Sequence, residues 1–373
     1  MQHQVAPARA VLSRDGLDDL VTTLRADGYH VIAPTVRDDA IVLAEVHSAA
    51  ELPSGWGVDA APGHYRLRRR ADAAVFRHSA GAQSWKQFVH PARRTLWSSD
   101  DTGFHGARPE PRRYAFLGVR ACDLAALAVL RRVLGRAADV DAPDPLIIAV
   151  GCTEPSGVCF CVSMGTGPAP GPGYDLSLVE LIDDDGHRFV VDVGTERGAD
   201  LLARLAHRPA PAADSSAAQE AVAAAAQQMP REMPDTDLRT LLIDSRDSPQ
   251  WQDVAQRCLR CGNCTMVCPT CFCTTTEDHT ELATGVAEHA QRWASCFELD
   301  FSYLHGGPVR VSGESRYRQW MTHKLSSWHD QFGSSGCVGC GRCIAWCPAG
   351  IDITAEAAAL AGERQEVAPD GVG

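Results

Sequence analysis

The chain has 373 residues, which at about 150 residues per domain predicts two or three domains. Hydrophobic residues make up 45% and charged residues 22%, which excludes a mostly disordered chain. With 35 basic and 47 acidic residues the net charge is −12, which argues against a nucleic-acid partner, and no apolar run reaches the roughly 18 residues of a membrane span.

Residues 1–112 read as a mixed α/β region. The start of the chain lacks an apolar stretch behind a basic one, so no secretory signal is predicted and a cytoplasmic location is expected. Residues 16–27 place Leu17, Leu20, Val21 and Leu24 at helical spacing. HVIAPTV (30–36), IVLAEV (41–46) and YRLRRR (65–70) read as strands between turn residues.

Residues 113–206 read as an α/β domain. YAFLGV (114–119) and LIIAV (146–150) are buried strands. Between them lies a helix over 123–134 with Leu124, Leu127, Leu130 and Leu134 on one face. A strand–helix–strand unit of this length implies parallel pairing by a right-handed crossover. A hairpin over 179–193 and a helix over 196–205 follow. Residues 207–236 read as an Ala/Pro-rich surface linker carrying one helix, AAQEAVAAAAQQ. Residues 237–365 read as a mostly α-helical domain, followed by a flexible tail over 366–373. Ser248-Pro249 opens a helix that delivers Cys258, and 282–301 and 317–328 read as helix-like. The fold class expected is therefore α+β and multidomain, with the helical domain last.

The cysteines carry the chemistry. There are 15, and 11 lie between Cys258 and Cys347, which fits metal ligation in a reducing compartment better than a disulfide framework. Cys258, Cys261, Cys264 and Cys268-Pro269 have the spacing C-x2-C-x2-C-x3-C-P, and Cys337, Cys340, Cys343 and Cys347-Pro348 repeat it. This is the bacterial ferredoxin run for 4Fe-4S clusters, in which each fourth cysteine ligates the other cluster. Cluster A is thus expected on Cys258, Cys261, Cys264 and Cys347, and cluster B on Cys337, Cys340, Cys343 and Cys268. Zinc sites use two CxxC pairs separated by a loop, in which a third cysteine three residues further on has no role. The 68 residues between the runs point to an α-helical ferredoxin arrangement. Cys271, Cys273 and Cys296 read as small buried hydrophobes beside the clusters.

Cys122 and Cys152 each follow a strand of the parallel unit, so both are expected at its carboxyl edge, and Cys159 and Cys161 lie on the same loop as Cys152. Four thiols converging there suggest a third 4Fe-4S site, with Asp123 as an alternative ligand; buried structural thiols are the competing reading. No dinucleotide or P-loop motif is visible, His323 and Lys324 read as structural, and no catalytic set is evident.

Eight segments carry a family likeness: GHYRL (63–67), QSWKQFVHP (83–91), GVRACDLAAL (118–127), GCTEPSGVCFCVSMGTGP (151–168), CLRCGNCTMVCPTCFC (258–273), RWASCFELDF (292–301), RYRQWMTHKL (316–325) and GCVGCGRCIAWCPAGIDI (336–353). Through them the chain resembles the iron–sulfur beta subunits of cytoplasmic sulfhydrogenases (NAD(P)-linked NiFe hydrogenases), which are related to the electron-transfer component of the anaerobic sulfite reductase. The resemblance implies a helical dicluster ferredoxin domain attached to an α/β domain. It also implies a flavin-bearing partner that exchanges hydride with NAD(P)H, and hydrogenase small and large subunits as the other partners. The expected function is single-electron transfer between them. One alternative is the corresponding role in a sulfite reductase complex, where the sulfite-reducing catalytic subunit would be the partner. The other is an iron–sulfur redox sensor or scaffold.

Overall fold

The structure, a computed structural model, describes residues 9–107, 112–135 and 143–367. The expected tail over 366–373 falls outside them from residue 368 on.

The first half of the chain builds strands β1 (Ala10–Ser13), β2 (His30–Arg37), β3 (Ala40–Glu45), β4 (Trp56–Ala61), β5 (His64–Arg69), β6 (Arg93–Asp100), β7 (Gly103–Gly106), β8 (Tyr114–Arg120), β9 (Leu146–Val150), β10 (Leu176–Asp183), β11 (Gly186–Val193) and the short β12 (Arg208–Pro209). Helices α1 (Gly16–Ala26), α2 (Lys86–Val89), α3 (Ala121–Leu134), α4 (Glu196–Leu202) and α5 (Ala212–Gln227) pack around them. Eight strands form one sheet in the order β12-β1-β11-β10-β9-β8-β2-β3. Its centre, β2, β8, β9 and β10, is parallel, and the flanking pairs are antiparallel. YAFLGV and LIIAV thus pair in parallel as their spacing predicted, with Ala115 opposite Leu146. The sheet takes strands from both sides of residue 112, so 9–107 and 112–206 share one core.

Alternation decides which helices cover which face. Leu146, Ile148 and Val150 meet Leu17, Leu20, Val21 and Leu24 of α1 on one side. Ile147 and Ala149 face the other way, onto Leu124 and Leu127 of α3. Because both faces are covered, the central strands are continuously apolar. The Ala-rich helix α5 is not a free surface linker: Ala218 and Ala225 are buried, and Ala218 packs with Val179, Leu181 and Val190 of the sheet. Small side chains let its backbone approach closely, which replaces the bulk that the sequence lacks.

The second half holds α6 (Leu238–Asp244), α7 (Gln250–Arg257), α8 (Asn263–Met266), α9 (Gly313–Thr322), α10 (Trp328–Phe332), α11 (Arg342–Ala345) and α12 (Ile353–Val367). Between α9 and α10 a π-helical turn spans His323–Ser327. Trp251, Val254, Tyr317, Trp320, Met321, Ile344 and Leu360 form its core. One expectation fails here. Residues 282–301, read as helix-like, hold strand β14 (Ala287–Trp293), which forms a hairpin with β13 (Thr274–Thr280) and joins β6 and β7 in the order β13-β14-β6-β7. The Thr-rich run 274–276 favours a strand, while Ala287–Trp293 has helical composition. Its partner, β6, lies far back in the chain, so the ladder overrides local propensity.

The two halves meet at the second cysteine motif. Phe160 N donates to Gly339 O (3.0 Å), and Thr166 Oγ1 donates to Val338 O (2.7 Å). Gly339 has φ +65°, and a Cβ there would lie 2.5 Å from Cys161 Cα. Gly339→Ala therefore costs about 1–2 kcal/mol of left-handed strain before any clash is counted. It is expected to lower the thermal midpoint of the full chain by several degrees; an unchanged midpoint would contradict this close approach.

Candidate metal centres

The two cysteine runs fold alike. Helix α7 ends at Cys258, whose backbone turns to the extended region, and α8 starts from Gly262 at φ 73°, ψ 0°. In the second run α11 starts from Gly341 at φ 72°, ψ −1°. Each left-handed glycine turns the loop between its second and third cysteine. The Asn263 side-chain amide donates to Trp346 O and ties the two loops together.

Site A is a partly open pocket with about 450 Å³ of empty space, solvent at its mouth included, lined by Cys258, Cys261, Cys264 and Cys347, with Leu259, Phe297, Tyr317, Trp320, Cys343, Pro348, Ile351 and Ile353 among its walls. Cys347 thus meets the three leading cysteines of the first run, and Cys343 of its own run reaches the same pocket. Backbone amides of Arg260 and Ile351 donate to Cys258 Sγ (3.4 Å) and Cys347 Sγ (3.3 Å). Burial raises the Cys258 thiol and pushes Cys264 well above the ordinary thiol range, with neighbouring thiols adding to both. Cys261 is exposed, so this site reaches the surface.

Site B gathers Cys268, Cys337, Cys340 and Cys343. Burial pushes Cys337 up to about 12, and Cys340 and Cys268 act on it in the same sense. Cys343 is raised well above its usual value by burial, then by Cys337, Cys340 and Cys268. Cys268 differs: a hydrogen bond from Cys271 and the Lys324 ammonium hold it well below the ordinary range, against the effect of burial. Lys324 Nζ lies 3.3 Å from Cys268 Sγ. Sequence reasoning missed this lysine because only the π-helical turn brings it there.

Site C is a second partly open pocket, with about 460 Å³ of empty space, solvent at its mouth included, lined by Cys122, Cys152, Cys159 and Cys161, with Arg120, Pro168, Met229 and Cys340 among its walls. The four cysteines expected at one sheet edge do meet there. The positive φ of Gly118 (+91°) accompanies a register shift between Leu117 and Val119, a bulge that re-aims the end of β8 toward this cavity. Burial pushes Cys122 well above the thiol range and Cys161 up to about 12. Arg120 Nη1 donates to Cys152 Sγ (3.5 Å), and Ser156 Oγ is 3.3 Å from Cys159 Sγ. Two participants were not foreseen: Arg120 and the fifth thiol, Cys340. Asp123 does not line this cavity. Both its carboxylate oxygens accept from Arg342, at 2.8 and 3.1 Å, inside the protein. Cys271, Cys273 and Cys296 line neither cavity.

The donor sets fit four-iron groups. Buried thiols with raised pKa values do not ionise against solvent, but a bound metal replaces the proton outright. Among the described residues no three His, Cys, Asp or Glu side chains close on a position for one ion. The thiols of sites A and C instead ring cavities, as a compact four-iron core requires and a single tetrahedral zinc does not. All 15 cysteines are free of disulfides.

Comparison with known proteins supports iron–sulfur clusters at the two cysteine runs. Residues 257–351, which include both cysteine runs, match the family model of the 4Fe-4S dicluster domain. Sulfhydrogenase 2 subunit beta of Pyrococcus furiosus is 30% identical over 267 residues, covering 64% of this chain and 72% of that protein. No solved structure matches.

The pairing of Asp123 yields a test. Asp123→Ala leaves Arg342 buried and uncompensated and is expected to destabilise the chain by about 3–5 kcal/mol in denaturant titration. The double variant Asp123→Ala/Arg342→Met is expected to recover most of that loss. A double variant as unstable as the single one would show that the pair is not what holds Asp123.

Proposed function

The chain belongs to the sulfhydrogenase beta-subunit family, and from that footing we propose that it is the iron–sulfur electron-transfer subunit of a multisubunit hydrogenase. In this reading it stands between a flavin-bearing subunit that exchanges hydride with NAD(P)H and the small and large subunits of a NiFe hydrogenase. The groups held at its thiols supply one-electron transfer with little change of geometry, so a hydride pair delivered at the flavin leaves as two single electrons. A cytoplasmic location accords with thiols that are all unpaired. Among the described residues no helix is long and apolar enough to cross a membrane.

The observation that carries this reading is the return of Cys347 to the first-run cavity. We assign Cys258, Cys261, Cys264 and Cys347 as the ligands at site A, Cys268, Cys337, Cys340 and Cys343 at site B, and Cys122, Cys152, Cys159 and Cys161 at site C. The rest of the chain serves these thiols. Amides of Arg260 and Ile351 donate to two sulfurs at site A, and Phe297, Tyr317 and Trp320 exclude water from it. Arg120 offsets negative charge at site C, and the exposed Cys261 makes site A the one nearest to a docked partner.

The full chain, reconstituted anaerobically, is expected to bind about twelve irons, four per site. Cys152→Ala is expected to bind about eight, and Cys347→Ala is expected to damage the site of the first run. A wild-type chain with about eight irons, unaffected by Cys152→Ala, would leave site C as buried thiols. Anaerobic co-purification identifies the partners. Flavin and hydrogenase subunits are the expected outcome; a sulfite-reducing catalytic subunit would move the chain to the related complex.

A further inference from the structure

A lysine seldom sits inside a protein without a carboxylate partner. Lys324 is 3% exposed, yet its ammonium donates to Cys268 Sγ (3.3 Å), Thr270 Oγ1 (3.2 Å) and Gly336 O (3.1 Å). These three bonds use all its donors. Of the three acceptors only the sulfur can carry charge. The side chain is set by the π-helical turn His323–Ser327, which also buries Leu325 and Ser326. Such widened turns recur at functional sites, where they aim a side chain that a regular helix would place elsewhere.

The three thiol sites differ in the charge they face. At site A the donors to Cys258 and Cys347 are neutral backbone amides, and the Arg260 side chain adds a positive charge near Cys258. At site C, Arg120 reaches Cys152 at 3.5 Å while also donating to Phe76 O and His78. Near site B there are three cations. Arg342, which follows Cys340 by two residues, directs its charge at Asp123. Lys86, brought from the other half of the chain by α2, donates to Met266 O and Cys271 O rather than to a sulfur, and lies 3.8 Å from the centre of the Trp293 ring. Lys324 alone of the three donates to a thiol of the site.

We propose that Lys324 is a positioning residue for redox potential: its fixed charge, donated at Cys268, makes site B easier to reduce than site A. The proposal rests on the reading that Cys268, Cys337, Cys340 and Cys343 hold a 4Fe-4S cluster. On reduction one electron enters from the flavin-bearing partner, or from dithionite in the test, no bond is made or broken, and Lys324 keeps its proton. The added negative charge is offset by an ammonium in a site of low dielectric, where such an interaction is strongest. Site B lies between the others, since Cys340 also lines the site C cavity and Cys343 the site A cavity. An electron would therefore settle at the middle of the chain of sites before leaving.

The test is a redox titration followed by electron paramagnetic resonance on the full chain, reconstituted anaerobically, with iron counted in parallel. The site B signal is identified as the one lost in Cys337→Ala. In the wild type it is expected at a less negative potential than the site A signal. Lys324→Gln, which keeps a neutral donor on a side chain one bond shorter, is expected to retain its iron and move the site B midpoint to a more negative potential, leaving the site A midpoint in place. Lys324→Arg is expected to restore it. A Lys324→Gln chain with full iron and an unmoved site B midpoint would overturn the proposal, and so would equal movement at both sites. If Lys324→Gln loses iron, Lys324→Arg decides: wild-type iron and midpoint support the role of the charge, and loss of iron there too makes Lys324 a packing residue. A wild type that binds iron at the first run but shows no signal dependent on Cys337 would overturn the two-cluster assignment itself.

Discussion

The buried ion pair between Asp123 and Arg342 is the interaction on which the arrangement of the molecule depends. Asp123 stands in the first turn of α3, at the carboxyl edge of the parallel sheet, and Arg342 lies between two cysteines of the second run. Both are 3% exposed, and the guanidinium also donates to Gly81 O and Gln83 O. An unpaired charge at either position would be costly enough that the two halves stay together. With the pair in place, Gly339 and Gly341 let the backbone of the second run lie directly on Cys161 and Val158.

That contact makes the second run the junction of the molecule. Its Cys340 faces the site C cavity, its Cys343 and Cys347 face the site A cavity, and its Cys337 neighbours Cys268. The first run reaches one cavity through its own three cysteines and meets the second run through its fourth. The same contacts that pack the two halves therefore set the order of the sites. Packing and electron path are one design problem here, because the thiols are themselves part of the interface.

Much of this is readable in the residues, for physical reasons that differ by element. The cysteine spacing is local, and a loop with a thiol every third residue can do little but wrap a metal core, so the two runs stand out at once. Helix α1 and the pairing of YAFLGV with LIIAV follow from short-range periodicity and the geometry of crossovers. The hairpin of β13 and β14 is not readable, since β14 lacks β-branched residues and is held by β6, distant in the chain. Asp123 reads as a spare ligand beside Cys122, because a sequence does not show that Arg342 will reach it. Lys324 reads as structural for a similar reason: neither the π-helical turn nor Cys268 Sγ can be seen from its neighbours in the chain.

The return of Cys347 to the first run also bears on how the protein is made. During synthesis Cys258, Cys261 and Cys264 leave the ribosome first, and at roughly 5–20 residues per second their fourth partner follows only seconds later. On the proposed ligation, the first run for that interval offers three thiols to a group that needs four. Strand β6, made far earlier, likewise waits for β14 before its sheet is complete. On the proposed ligation, a complete set of thiols at the first run therefore waits for Cys347 to emerge, and a nascent chain stalled before it would be exposed to oxygen and to the wrong metal.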